Sequence, residues 1–485
     1  MNYLSLYKAH FKIDINEKEL YDMRFHSPNT LHFKIPIHNK ESFLYVNNEL
    51  LVLIEQIHVL NSKIIKKRNE IKTDLINTWE LSHSLVQEIL LSNEIEGVVS
   101  TRKEINELLD MKSPKEYKRL YGMVNKYRDI FFQKKEFNPI IDSSKLRKVY
   151  DDILIQDIEN EEPHNLPDGI LFRKENVNVV SSTKIIHQGV YPESKIIKDV
   201  DDTLSILNNS DLPYLVRVAL FHYFLGYIHP FYDGNGRISR YVSSYYLSQV
   251  IDSIASLRLS IACKKRQKDY YEAFKITSDP RNNGDITYFV LTFLDIFKEG
   301  LEDYLEELTD KVNQYIYYEN KLLNLTLDDT SSLILKIIVD CTLFHLKSIS
   351  IKELVDMTHL SKSTVSHRIN LLEKANYIIR IKESRQTYFS FNLDHVLHGI
   401  RNLDQSLKEE YANHFSDQYE SKENEFIDFI LDKSPSNVKN YKESWDYIKK
   451  DLNSLSRSSN LGFFFINNKD YLKNEIFEKE LIKMN

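Results

Sequence analysis

Residues 229 to 240, His-Pro-Phe-Tyr-Asp-Gly-Asn-Gly-Arg-Ile-Ser-Arg, gather side chains that could do chemistry. His229 is a base-capable side chain at the end of a long apolar run, and Pro230 cannot continue a helix, so the backbone turns there. Phe231 reads as an apolar anchor packing from that turn into the core. Asp233 offers a loop carboxylate, and Gly234-Asn235-Gly236 permits turn conformations that other residues resist. Ile238, Val242 and Tyr245 recur at helical spacing, which predicts a new helix from near Arg237. Free N–H groups and the positive dipole end make such a start an anion site. Arg237 and Arg240 in the first turn oppose that dipole and make sense if a polyanion lies between them and the helix end. Together these features point to phosphoryl or nucleotidyl chemistry.

The elements that position this stretch are read as helices. Leu215 to Ile228, interrupted by Arg217 and His222, reads as a buried helix. A helix predicted from about Thr78 to Glu96 carries Leu85, Ile89, Ser92 and Glu96 on one stripe, so two polar residues continue an inward-facing apolar row. A buried carboxylate there requires a partner, and arginine is the usual one. Gly97 is placed as the C-terminal cap, and Thr101 with Glu104 resembles a capping box for the next helix.

Residues 229–240 resemble, at every specified position, the signature of the Fic family, His-Pro-Phe-x-Asp/Glu-Gly-Asn-Gly-Arg-x-x-Arg. Ser92-Asn93-Glu94-Ile95-Glu96-Gly97 is similar to that family's inhibitory motif, Ser/Thr-x-x-x-Glu-Gly/Asn. The resemblance implies transfer of AMP from ATP to a Ser, Thr or Tyr hydroxyl of a protein, the chain itself included. It gives His229 as the general base and Asp233 as the Mg²⁺ ligand. Gly234, Asn235 and Gly236 become phosphate donors, and Arg237 and Arg240 the phosphate clamp. It pairs Glu96 with Arg240 as a brake, with Ser92 and Gly97 completing the motif. Glu96 gains a second role in reverse hydrolysis, as in some relatives. Alternatives are Fic-type transfer of another phosphate-containing group, against which Gly236 argues, and a regulator whose Fic core only senses nucleotide.

Asn176 to Val180 and Ile185 to His187 are short β-branched runs about Ser181-Ser182, a β-hairpin pattern in an otherwise helical chain. In the family this hairpin is the flap, which holds a target segment. Ile186, His187 and Gln188 fall on its nucleotide side. The family also puts a paired-Tyr segment by the adenine pocket, so Tyr270 or Tyr271 lines the base or is simply core. The longer segment from Lys275 to Asn283 puts an adenine contact by Asn283 in question.

Farther along, Ser350-Ile351-Lys352-Glu353 is a capping box. In the helix that follows, Val365, Ile369 and Leu372 face inward, and Lys362, Ser363, Ser366, His367 and Asn370 outward. Two alternating runs, Tyr377 to Ile381 and Tyr388 to Phe391, then form a wing. The whole resembles a winged helix-turn-helix, with Lys362, Arg368, Arg380, Lys382 and Arg385 near a DNA groove. The alternative is a protein-interaction module, with a homodimer as its outcome. The expected fold is mainly α: an N-terminal helical region (1–110), Fic core (111–305), helical linker (306–328), winged helix (329–395) and helical C-terminal region (396–485).

With 485 residues the chain exceeds one ordinary core. Its 64 basic against 71 acidic residues give −7, so no global positive field advertises nucleic acid. Cys263 and Cys341 fit neither a disulfide framework nor a metal cluster. No charge-free window of about twenty residues predicts a membrane span, and the N-terminus lacks a signal-peptide pattern. Cytoplasm is the expected compartment.

Overall fold

The computed structural model describes residues 3–392, apart from 72–73, 110, 112–113, 132–135, 182–183, 324, 326, 344–347 and 384–385. The helical C-terminal region expected over 396–485 lies outside the described residues.

Two short helices, Leu6–Ala9 and Glu17–Phe25, open the chain, and a hairpin follows. The Leu- and Ile-rich pattern from Glu41 to about Thr73 predicts one long helix, but its first residues belong to the second strand. Strands β1 (Thr30–Ile37) and β2 (Lys40–Tyr45) pair antiparallel, with Phe33, Ile35 and Ile37 alternating into the core. His38 and Asn39 both take left-handed backbone angles (φ 47° and 62°), as a two-residue hairpin turn demands. Asn47 then caps α1 (Asn48–Arg68) by accepting from the Leu50 N–H at 2.9 Å. Helix α2 (Asp74–Ile95) ends on Gly97, whose φ of 76° suits a C-terminal cap, and the Val98 N–H closes back onto the Asn93 carbonyl at 3.0 Å. Thr101 and Glu104 cap α3 (Arg102–Leu109) reciprocally.

Strands β3 (Asn178–Ser181) and β4 (Lys184–Gln188) form the second hairpin, with a register irregularity between Val179 and Val180. Helices α4 (Glu193–Leu207) and α5 (Tyr214–Ile228) follow. Helix α5 is buried on nearly every side, which is why its sequence is apolar all round rather than striped. It packs against α4, α6 (Asn235–Leu247) and the long α9 described next.

The chain after α6 runs through α7 (Leu259–Lys265), α8 (Gln267–Thr277) and α9 (Thr287–Leu323). The α9 start is pinned by β2, through Phe43 N–H to Gly284 O at 3.0 Å and Ile286 N–H to Phe43 O at 2.9 Å. Helix α9 runs past residue 305, the expected end of the core, to Leu323 and takes up most of the segment expected as a helical linker.

Helix α10 (Asp329–Leu343), β5 (Ile349–Ser350), α11 (Ile351–Thr358), α12 (Lys362–Lys374), β6 (Ile378–Glu383) and β7 (Gln386–Phe391) complete a winged helix, its sheet ordered β5-β7-β6. Both hydrogen bonds of the Ser350–Glu353 capping box are present. Val365, Ile369 and Leu372 are buried, while Lys362, Ser363, His367 and Asn370 are exposed and Ser366 is half-buried. Arg385 lies outside the described residues. Among the described residues no helix is long and apolar enough to cross a membrane, and both cysteines are buried thiols.

Phe231, fully buried, stacks on Tyr150 at 3.6 Å and meets Phe172 edge-on at 5.3 Å. Phe231→Ala is expected to cost about 3–5 kcal/mol through the cavity it leaves. A chemical-denaturation midpoint indistinguishable from wild type would contradict this packing role.

Candidate active site

His229 terminates α5 in the left-handed region (φ 55°, ψ 61°), a conformation that costs energy for a residue with a Cβ. Its Nδ1 lies 3.4 Å from the Gly226 carbonyl, and the residue is half-buried. The loop is closed by Asn235, whose Oδ1 accepts from Phe231 N–H at 3.0 Å and whose Nδ2 donates to Phe231 O at 2.8 Å. The Asn235 side chain therefore shapes the loop, where a phosphate donor was expected, and only its main chain lies in the first turn. Gly234 is the left-handed N-cap, so α6 begins at Asn235 rather than near Arg237.

Two arginines at this helix start need anions, and protein carboxylates supply both. Arg237 Nη2 donates to Asp233 Oδ2 at 2.6 Å, one turn away. Asp233 Oδ1 accepts from the Gly234 N–H, also at 2.6 Å. Arg240 is fully buried. Its Nε donates to Ser92 Oγ at 3.0 Å, and its Nη2 donates to Ser92 O at 2.8 Å and Glu96 Oε1 at 2.9 Å. Burial disfavours the Arg240 charge, but the Glu96 carboxylate outweighs it and raises the guanidinium pKa further. Glu96 also touches the helix end: a Cβ built on Gly236 would lie 2.1 Å from Glu96 Oε1. Only glycine leaves room for that carboxylate.

Glu96 is less buried than its place on the stripe implied, with 26% of its side-chain surface exposed against 1% for Arg240. The stripe itself is inward, with Leu85, Ile89 and Ser92 buried. The helix ends at Ile95, and the Glu96 N–H closes a tightened last turn onto the Asn93 carbonyl at 3.0 Å.

Tyr271, expected at the base or in the core, donates its hydroxyl to the Ile95 carbonyl at 3.0 Å and so holds the end of α2. Tyr270 is core: its hydroxyl meets His222 Nε2 at 2.7 Å, while His222 Nδ1 meets Ser243 Oγ and Ser239 Oγ at 2.9 and 3.0 Å. Burial pushes the His222 imidazole down to about 3, so it stays neutral. Asn283 is bonded to Glu17 Oε1 and the Arg281 carbonyl. Gln188 is exposed on β4, which runs beside α8; of Ile186 and His187 only the backbone is described.

Sequence reasoning missed the residues that dock α2. Glu88, fully buried one turn before Ser92, accepts from Ser260 N–H at 2.8 Å, Ser260 Oγ at 2.7 Å and Ser244 Oγ at 3.1 Å. Lys264 reaches Glu94 at 3.0 Å. The i, i+4, i+8 spacing of Glu88, Ser92 and Glu96 was the available signal.

For a divalent cation the donor set is one partly exposed carboxylate, Asp233, beside a helix N-terminus. That fits Mg²⁺, which takes few protein ligands and completes its shell with water and phosphate oxygens. Among the described residues no group of three His, Cys, Asp or Glu could hold a metal.

Residues 140–247 match the Fic/DOC family model, and residues 327–379 match a winged helix-turn-helix DNA-binding model. A protein adenylyltransferase Fic of Drosophila willistoni is 33% identical over 119 residues, 24% of this chain and 22% of that relative. The Drosophila melanogaster protein of the same name is 36% identical over 96 residues, 20% of this chain and 18% of its own length. The chain thus spans about a fifth of the length of these curated relatives. A solved Fic family protein from Desulfovibrio desulfuricans G20 superposes with a TM-score of 0.46 at 18% identity, covering 71% of this chain and 96% of that one. Residues 140–247 are thus a Fic/DOC-type domain within a longer chain. Its Fic domain is followed by a winged helix-turn-helix domain.

Burial pushes the Glu88 carboxyl up to about 7, above the ordinary glutamate value near ~4.3, despite hydrogen bonds from Ser260 that pull it down. The folded state therefore binds the proton more tightly than the unfolded one. Its contribution to stability is full below about pH 4.3 and is lost as pH rises to about 7. Glu88→Gln is expected to flatten this part of the pH dependence, read as melting temperatures at about pH 5 and about pH 8. Equal pH dependence in both proteins would contradict the raised pKa.

Proposed function

We propose that this chain is a protein adenylyltransferase, moving AMP from ATP to a hydroxyl of a protein target and held at rest by Glu96. The observation that carries the reading is the left-handed His229 facing a helix start whose two arginines both hold carboxylates. His229 takes the proton of the target hydroxyl, whose oxygen forms the bond to the α-phosphorus. The bond from that phosphorus to the bridging oxygen of the β-phosphate breaks, and pyrophosphate leaves with the electron pair. The N–H groups of the first α6 turn receive the phosphate oxygens, and Arg237 and Arg240 bind the phosphate tail. Mg²⁺, held by Asp233, would neutralise phosphate charge when bound.

In the resting site Glu96 stands on Arg240 and against Gly236, where the terminal phosphate needs to be. ATP entering there loses one arm of its clamp, and a misplaced α-phosphorus reacts slowly. The partial exposure of Glu96 supports a second role in orienting a water for the reverse hydrolysis. Replacing Glu96 by Gly is expected to raise self-labelling from α-labelled ATP by ~10²-fold. His229→Ala in the same protein removes the labelling, since a positioned base contributes ~10²–10⁴-fold. Wild-type labelling by the Glu96→Gly protein would refute the brake, and a folded, active His229→Ala protein would refute the base.

A second reading, a nucleotide-responsive DNA-binding regulator, is favoured by the winged-helix match and the exposed Lys362, His367 and Asn370. Arg368 pairs with Asp328 at 3.2 Å and Arg380 with Glu373 at 2.6 Å, so two of the expected basic contacts are already engaged. A gel shift of the full chain with duplex DNA is expected to weaken as salt rises. No shift at micromolar protein would favour the protein-interaction alternative.

A further inference from the structure

Arg173 lies between the β3–β4 flap and the His229 loop, and it is fully buried. Its guanidinium donates only to main-chain carbonyls in the hydrogen bonds described. Nε reaches His229 O at 2.8 Å, Nη1 reaches Glu175 O at 2.6 Å, and Nη2 reaches Val190 O at 2.8 Å and Ile228 O at 3.3 Å. Its own N–H donates to Pro230 O at 3.2 Å, and the Val190 N–H meets Ile228 O at 3.0 Å. Among the described residues no carboxylate pairs with it. Glu175 and Val190 flank the two ends of the hairpin, so one planar fork joins both flap ends to the peptide of the base.

The sites it serves need a cation of this shape. The carbonyls at the C-terminal end of α5 have no intrahelical donors and sit at the negative pole of the helix dipole. His229 holds a left-handed conformation that its surroundings must impose. A guanidinium offers five N–H groups in a fixed plane, whereas an ammonium offers a single point. Burial lowers the Arg173 pKa to about 10, which leaves it charged at neutral pH.

We propose that Arg173 is a positioning residue that locks the His229 peptide to both ends of the flap, so that a hydroxyl on a flap-bound target segment meets the imidazole in register. This rests on the adenylyl-transfer reading. Neither the Fic signature nor the brake contains Arg173, and it sits over 50 residues upstream of the base. Misplacing reacting atoms by about 1 Å costs ~10²-fold in rate, and that is the effect expected.

The test places Arg173→Lys in the Glu96→Gly protein and reads three quantities: labelling rate at saturating ATP, ATP affinity, and hydrogen exchange over 176–191 and 225–232. The expected result is a rate lowered ~10–10²-fold, ATP affinity within about twofold, and both segments exchanging faster together. An unchanged rate overturns the proposal. So does a loss of ATP affinity that accounts for the lowered rate, because that marks a general structural role. If Arg173→Lys does not fold, Gly189→Ala decides by the same readings, since its Cβ would press on Arg173 Nη2 from 2.5 Å. Should neither wild type nor Glu96→Gly label, the adenylyl-transfer reading fails. The link between flap and base is then judged by exchange alone: joint loosening supports it, and independent behaviour overturns it.

Discussion

A guanidinium with no exposed surface fixes the geometry of this protein. Arg240 is held inside the fold by its place on α6, and a buried charge without partners would cost several kcal/mol. Its partners come from the end of α2 and the residue just past it: the Ser92 hydroxyl, the Ser92 carbonyl and the Glu96 carboxylate. The requirement therefore runs backwards along the chain, and α2 must lie where those groups can reach. The core meets it by polar contacts from three elements: Ser244 on α6 and Ser260 on α7 hold Glu88, Lys264 on α7 holds Glu94, and Tyr271 on α8 holds the Ile95 carbonyl. A helix remote in sequence thus becomes a wall of the site.

The charges in that site are arranged by depth. Arg237 and Arg240 expose 5% and 1% of their side chains, while Asp233 and Glu96, which face them, expose 32% and 26%. The cations are fixed inside and the carboxylates stand at the mouth. Each arginine has its charge paired with an acid, which explains how cations can sit near a helix start whose dipole opposes them. The buried Arg237 Nε has no hydrogen-bond partner among the described residues. A group approaching this helix start from outside meets the two carboxylates before the two arginines.

Much of this was legible in the sequence because it is local. The signature is contiguous, the caps at Gly97, Thr101 and Ser350 depend on residues within four positions, and α5 declares its burial by composition. What escaped is either masked or long-range. Pro36 hid the alternation of Phe33, Ile35 and Ile37, since proline argues against a strand; the ladder accommodates it at a register shift between Phe33 and Ile37. The Asn235 side chain looked like a phosphate donor because the motif puts it among glycines, but a sharp turn has its own unpaired groups to satisfy first. Arg173 and Tyr271 act on carbonyls 56 and 176 residues away, and no periodicity encodes a side chain's bond to a distant main chain.

The continuity of α9 sets how the two recognised domains relate. Its 37 residues run unbroken from the Asp285 cap, beneath α5 and α8, to the winged helix, where Tyr318 meets Phe391 edge-on at 5.4 Å and Glu319 pairs with Lys336 at 2.8 Å. A helix of that length spans about 55 Å at 1.5 Å per residue. Within it there is no proline and only Gly300 as a weak point, and that glycine faces Ala262 of α7 so closely that a Cβ would come within 2.8 Å. The glycine is therefore a packing contact with the helix that carries Ser260 and Lys264, the groups that dock α2. The same rod that carries the winged helix is pressed against the helix that anchors α2.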